Sequence, residues 1–141
     1  MSEAREVPDL AERRRALDPA SSFIVQAPAG SGKTELLIQR CLVLLAIVER
    51  PEEIAAITFT RKAAAEMRSR IFAALADART RERPAQAHHA MTWDLARAVL
   101  ERNDRLGWRL EENATRLRLQ TIDSLCASLT RQMPVLARLG A

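Results

Sequence analysis

Apolar positions along this chain recur with two periods, and the alternation between them lays out the fold. Residues 1–20 are polar, apart from one short helical candidate at 10–17. Asp18-Pro19 closes that candidate, because proline disfavours helix at the residue before it. Phe23, Ile24, Val25 and Gln26 then predict a first strand. A helix is expected from Thr34 to about Glu49. Leu37, Cys41, Leu44, Leu45 and Val48 share one side of it, and Leu36, Val43 and Ile47 make the opposite side apolar as well. A helix apolar nearly all round is buried on more than one side. Pro51 ends the segment. Residues 54–59 follow as a second strand, apolar throughout, as a parallel strand covered on both faces should be.

Thr60 is a natural N-cap for a helix over 61–76, in which Ala64, Met67, Ile71 and Leu75 mark the core face. Residues 77–90 have little apolar content and one proline, and read as a connection. The next helix is expected over 91–102 with Trp93, Ala96, Val99 and Leu100 inward. Residues 116–121 alternate as a third strand would. Residues 122–131 are again helical, with Ile122, Leu125 and Leu129 in phase and Pro134 as the limit. Three βα units result, with no internal repeat. They predict an α/β fold in which helices sandwich a parallel sheet.

Composition changes this picture little. A chain of 141 residues with 48% apolar content can build one core, and aromatics are scarce at 4%, with no tyrosine. The amino terminus mixes charges and has no apolar stretch of the kind a signal peptide needs. The longest apolar run, 41–48, is far short of a bilayer span, so the expected location is the cytoplasm, with no membrane partner. A net charge of +4 permits an anionic partner. The arginine runs at 13–15 and 79–83 are interspersed with acids and read as solvated faces. Cys41 and Cys126 are read as buried small apolar residues, His88 and His89 as a surface pair, and Trp93 and Trp108 as packing residues.

The chemistry is concentrated at residues 27–34, Ala-Pro-Ala-Gly-Ser-Gly-Lys-Thr, between the first strand and the first long helix. A helix amino terminus presents unpaired N–H groups and partial positive charge, so a small-residue loop delivered there suits a polyphosphate. Gly30 and Gly32 let the backbone approach phosphate oxygens, Lys33 reaches the β and γ phosphates, and the Thr34 hydroxyl ligates Mg²⁺. The strict phosphate-loop pattern begins with glycine, and here Ala27 holds that place. In many nucleotide-driven motors a glutamine in the leader before the first strand reads the adenine edge. None precedes Gln26, so the sequence assigns no residue to the base.

Three stretches together resemble a family: residues 27–34; residues 57–67, Ile-Thr-Phe-Thr-Arg-Lys-Ala-Ala-Ala-Glu-Met; and residues 120–126, Gln-Thr-Ile-Asp-Ser-Leu-Cys. They are similar to the first three motifs of superfamily 1 DNA helicases, closest to the UvrD/RecB/AddA branch of ATP-driven 3′ to 5′ motors in repair and recombination. Alanine at the first loop position is usual there. The resemblance implies a P-loop NTPase (RecA-like) fold of three layers, α/β/α, here as an incomplete motor domain. Residues 1–20 would be a polar leader, 21–133 the first part of the motor, and 134–141 the start of its remainder.

The resemblance further implies that ATP and Mg²⁺ sit on Ala27, Pro28, Ala29, Gly30, Ser31, Gly32, Lys33 and Thr34, with Lys33 and Thr34 acting in catalysis and Thr34 on the metal. It implies that Thr60, Arg61 and Thr121 touch the single-stranded DNA backbone, and it allows companion subunits of a helicase–nuclease complex. Where the family often has histidine this chain has Asp123. A carboxylate repels phosphate, so Asp123 is expected to cap the helix after it. No Asp-Glu pair ends an apolar strand in these residues. The family's hydrolytic carboxylates and the arginines of its second motor domain would then lie elsewhere, and these 141 residues alone would not hydrolyse ATP. Two other readings share the phosphate loop: a non-catalytic module that binds nucleotide or single-stranded DNA, and a small P-loop kinase, which would need a lid and an acceptor-binding carboxylate.

Overall fold

The computed structural model describes residues 9–133. In order they form α1 (Leu10–Ala16), α2 (Lys33–Leu45), β1 (Ala55–Thr58), α3 (Arg61–Thr80), α4 (Ala87–Leu106), β2 (Arg118–Thr121) and α5 (Ile122–Gln132), with single 3-10 turns at Pro51–Glu53 and Ala114–Arg116. The limit expected at Pro134, the segment 134–141 and residues 1–8 of the polar leader lie outside the described residues.

The core is built from three long helices. α3 buries Ala64, Met67, Ile71, Leu75 and Ala78, the stripe its 3- and 4-residue spacing dictates, continued by one further turn. α4 faces it with Ala90, Ala96, Val99 and Leu100. α2 adds Leu36, Ile38, Leu42 and Leu45. Leu42 and Leu75 are fully enclosed, and burying each such side chain contributes about 1.5–3 kcal/mol. Trp108, Leu110, Leu117 and Leu119 close the remaining side.

The segment expected to connect at 77–90 is mostly helix, and only residues 81–86 stand between α3 and α4. Its alanines explain the difference. Ala78 and Ala90 are both buried, so small side chains there are packed positions rather than a lack of core. Arg79 strengthens the junction by bonding Asp104 at 3.1 Å and Glu111 at 2.7 Å. Arg83 pairs with Asp94 at 2.8 Å. The 79–83 run therefore pins helices together and is more than a solvated face.

β1 and β2 pair in parallel, with Ala55 opposite Arg118 and Thr58 opposite Thr121. Among the described residues these are the only two strands, one fewer than expected. Residues 23–26 form no ladder, and Ile24 is 93% exposed. An extended apolar segment becomes a strand only when a neighbour takes up its backbone hydrogen bonds, and here β1 and β2 pair with each other and not with residues 23–26. The sheet is also covered on one face only. Leu119 and Thr121 are buried toward α3, while Ile57 and Phe59 face out. The chain is thus mixed α/β with a small parallel sheet.

Two helices differ in their exposed faces. On α2 the buried side is that of Leu36, Ile38, Gln39, Leu42 and Leu45, Leu37 is exposed, and Ile47, just past the helix end, is exposed as well. α5 carries the expected stripe of Ile122, Leu125 and Leu129, yet none of its residues is buried. Cys126 on that helix is exposed, against expectation, whereas Cys41 is half-buried.

Candidate functional site

The phosphate loop enters α2 through two glycines in the left-handed region, Gly30 at φ +78° and Gly32 at +84°. L side chains resist that conformation, which explains glycine at both places. Ser31 N–H donates to the Pro28 carbonyl at 3.3 Å, closing a turn within the loop. Lys33, the first residue of α2, bends back so that its Nζ donates to the Ala27 carbonyl at 2.6 Å. Its ammonium thus spans the loop from last residue to first. Gly32, Lys33 and Thr34 are exposed. Left-handed residues alternating with ordinary ones direct successive amides toward one side, an arrangement that suits anions. These residues fit a bound triphosphate, with Thr34 open at the helix start for Mg²⁺. Among the described residues no group of three or more His, Cys, Asp or Glu side chains could hold a metal without it.

The loop is braced from outside by residues that the sequence reading passed over. Arg13 of α1 donates to the Gly32 carbonyl at 3.3 Å and to the Ser31 carbonyl, and its Nε lies 3.0 Å from Asp9 Oδ1. The Asp9 carboxyl is held below its ordinary range, chiefly by hydrogen bonding to that guanidinium. At the other end of α1, Arg40 of α2 donates to the carbonyls of Ala16 at 2.6 Å, Asp18 at 3.1 Å and Ser21 at 2.8 Å. Between α1, residues 23–27 and the loop lies a cavity of about 460 Å³ bordered by Arg13, Phe23, Ser31 and Lys33. No spacing rule could have found Arg13. In sequence it is one of three consecutive arginines, and only the packing of α1 selects it.

Behind the loop, the first turns of α2 are locked to both neighbouring helices. Glu35 accepts from Arg70 of α3 at 2.8 Å and from the Thr92 hydroxyl of α4 at 2.8 Å, and the buried Gln39 donates to Thr92 at 3.0 Å. This network fixes α2 relative to the helix that begins at Thr60.

The second and third motifs meet at one sheet edge. Because Thr58 and Thr121 are in register, the two strands end side by side and α3 and α5 both start there. Thr60 caps α3, its Oγ1 accepting from Ala63 N–H at 3.1 Å, and it remains exposed. Thr121 caps α5 by accepting from Ser124 N–H at 3.2 Å and also donates to Ser124 Oγ at 2.9 Å. It is buried, so its hydroxyl is already committed, whereas the Thr60 hydroxyl proton is free. The cap expected at Asp123 is therefore Thr121, and Asp123 sits in the first turn of α5, favourably placed for the helix dipole.

α3 begins the opposite way. Its first turn holds no acid and starts with Arg61 and Lys62, both exposed and, among the described residues, in no ion pair. Cations at a helix amino terminus oppose the dipole, by about 0.3–1 kcal/mol each. Beside them Phe59 is 88% exposed, an aromatic ring that packing would not leave in water. A free hydroxyl, two cations in no ion pair among the described residues and a bare ring thus lie side by side at this helix start.

Known proteins resemble this chain in sequence. Residues 10–138 match the family described as UvrD/REP helicase N-terminal domain. The chain is 49% identical over 61 residues to DNA helicase II of Salmonella typhimurium, a match covering 43% of this chain and 8% of that protein. It is 34% identical over 124 residues to an ATP-dependent helicase/nuclease subunit of Desulfitobacterium hafniense, covering 85% of this chain and again 8% of the relative. No solved structure matches significantly. No helix among the described residues is long and apolar enough to cross a membrane. With a family match over nearly its whole length, and with the three motif stretches placed at the helix starts just described, the chain belongs to the UvrD/REP helicase N-terminal domain family.

Proposed function

We propose that this chain is the ATP-binding part of a DNA helicase that couples ATP hydrolysis to translocation on single-stranded DNA and duplex unwinding in repair or recombination. The observation that carries the reading is the phosphate loop, with its two left-handed glycines and Lys33 at the start of α2. Its amides and the Lys33 ammonium would grip the triphosphate, and the Thr34 hydroxyl would ligate Mg²⁺. Bound ATP supplies the phosphoanhydride whose cleavage drives movement. The carboxylates and arginines needed for that cleavage belong to other parts of the motor, so these residues grip nucleotide without turning it over.

At the strand-end surface, Thr60 and Arg61 take the DNA backbone, with Lys62 beside them. Hydroxyls and cations there position a phosphate chain without reading sequence. Phe59 offers a stacking surface for a base, a contact worth about 1–3 kcal/mol. Thr121 acts by holding α5 in place rather than by touching DNA. The parallel sheet is the beginning of a three-layer RecA-like domain. The protein works in the cytoplasm, and the likeness to a helicase/nuclease relative supports companion subunits of such a complex.

The deciding experiment is Lys33→Ala in the full-length helicase. DNA-stimulated ATP hydrolysis should be lost while the unfolding midpoint stays near wild type. A variant with normal turnover would refute the assignment. Nucleotide and DNA binding with no turnover in the full-length wild type would instead favour a binding module.

A further inference from the structure

We propose that Arg13 is a positioning residue for the phosphate loop, holding it from outside in its anion-accepting form. The proposal rests on the nucleotide reading above and adds to it a residue outside the loop. Its geometry follows from peptide planarity. In a trans peptide the C=O of one residue and the N–H of the next point in opposite directions. Arg13 bonds the carbonyls of Ser31 and Gly32. By doing so it turns the N–H groups of Gly32 and Lys33 away from itself, toward the loop's open side. Among the described residues neither amide has a backbone acceptor, while the Gly32 carbonyl also takes the first α2 bond, from Leu36 N–H at 3.1 Å. Arg13 thus occupies that carbonyl's second lone pair.

Three further features fit an orienting role. The guanidinium lies close against Gly32, such that a Cβ there would sit 3.2 Å from Arg13 Nη1. Its side chain is only 23% exposed and its Nε is paired to Asp9, so the head group is held rather than free. The planar fork of guanidinium donors also spans two successive carbonyls in a fixed geometry that a rotatable ammonium lacks. α1 carries this fork, and Arg40 holds its far end.

The test compares binding of Mg²⁺–ATP and of inorganic tripolyphosphate by the wild type, Arg13→Gln, Arg13→Lys and Arg40→Gln. Arg13→Gln should weaken both ligands by about the same factor, on the order of tenfold for the loss of charge-assisted bonds. Arg13→Lys should not rescue. Arg40→Gln, which frees only the far end of α1 while Asp9 and the loop carbonyls still hold Arg13, should weaken both ligands clearly less than Arg13→Gln does. In ¹⁵N spectra the Gly32 and Lys33 amides should shift together on adding tripolyphosphate to the wild type and lose that response in Arg13→Gln. Weakening confined to ATP would make Arg13 a contact to the nucleoside and overturn the proposal. Equal weakening in Arg40→Gln would reduce Arg13 to a staple for α1, and wild-type affinity in Arg13→Gln would overturn the proposal outright. Wild-type protein that bound neither ligand would sink the nucleotide reading and this proposal with it, a result distinct from tight binding that Arg13→Gln leaves unchanged.

Discussion

Thr60 carries two separable duties, and one substitution tells them apart. Its Oγ1 accepts from Ala63 N–H, capping α3, and its hydroxyl proton is free for a phosphate oxygen. Thr60→Ala removes both, and losing such a cap costs about 1 kcal/mol of stability. Thr60→Asp keeps a good cap and places a negative charge beside the helix dipole, so the unfolding midpoint should match or exceed wild type. For DNA the same change is hostile. A carboxylate about 4 Å from a phosphate costs roughly 1 kcal/mol in bulk water and about 4 kcal/mol near a protein surface. Single-stranded DNA affinity should therefore fall at least about fivefold, since each 1.4 kcal/mol is a factor of ten. The assay is fluorescence anisotropy with a labelled oligonucleotide at fixed salt, alongside thermal unfolding. Wild-type affinity in Thr60→Asp would refute the placement of a phosphate at this helix start. A Thr60→Asp protein as unstable as Thr60→Ala would refute the cap argument.

The carboxylates of Glu52, Asp94 and Asp104 are all held below their ordinary ranges, chiefly by hydrogen bonds from Arg116, Arg83 and Arg79 respectively. Lowered folded values contribute stability that is present above the ordinary carboxylate range and lost as pH falls through the depressed values, so acid unfolding should be shallower in Arg116→Gln, as followed by circular dichroism from pH 6 to pH 2. An unchanged acid profile would contradict the Glu52–Arg116 pairing, seen at 2.6 Å. Burial pushes the Cys41 thiol up to about 11, whereas Cys126 is exposed. Because the thiolate is the nucleophile, brief treatment with iodoacetamide at pH 8 should label Cys126 first and Cys41 only on unfolding, a difference that peptide mass spectrometry reads directly.

Where the sequence read correctly, the information was local or periodic. The α3 stripe from Ala64 to Leu75 follows from spacing alone, because a helix of fixed period has only one way to bury those positions. Thr60 declared its cap for the same reason, and Gly30 and Gly32 stand where the backbone is left-handed, a conformation glycine adopts at no steric cost. Residues 23–26 misled because strandedness is not a property of one segment, and their hydrogen bonds need a partner. Residues 77–90 misled because alanine at a packed position looks, in sequence, like an absence of core.

Tertiary structure alone decided which of three consecutive arginines meets the loop, which side of α2 is inward, and that Glu35, Arg70 and Thr92 converge although they lie up to 57 residues apart. It also decided the contrast between two threonines that the motifs treat alike: Thr60 capped and open, Thr121 capped and buried. Local sequence fixes backbone conformation through sterics and period. Pairings over long separations depend on how helices pack, and packing is set by the shapes of all the buried side chains at once.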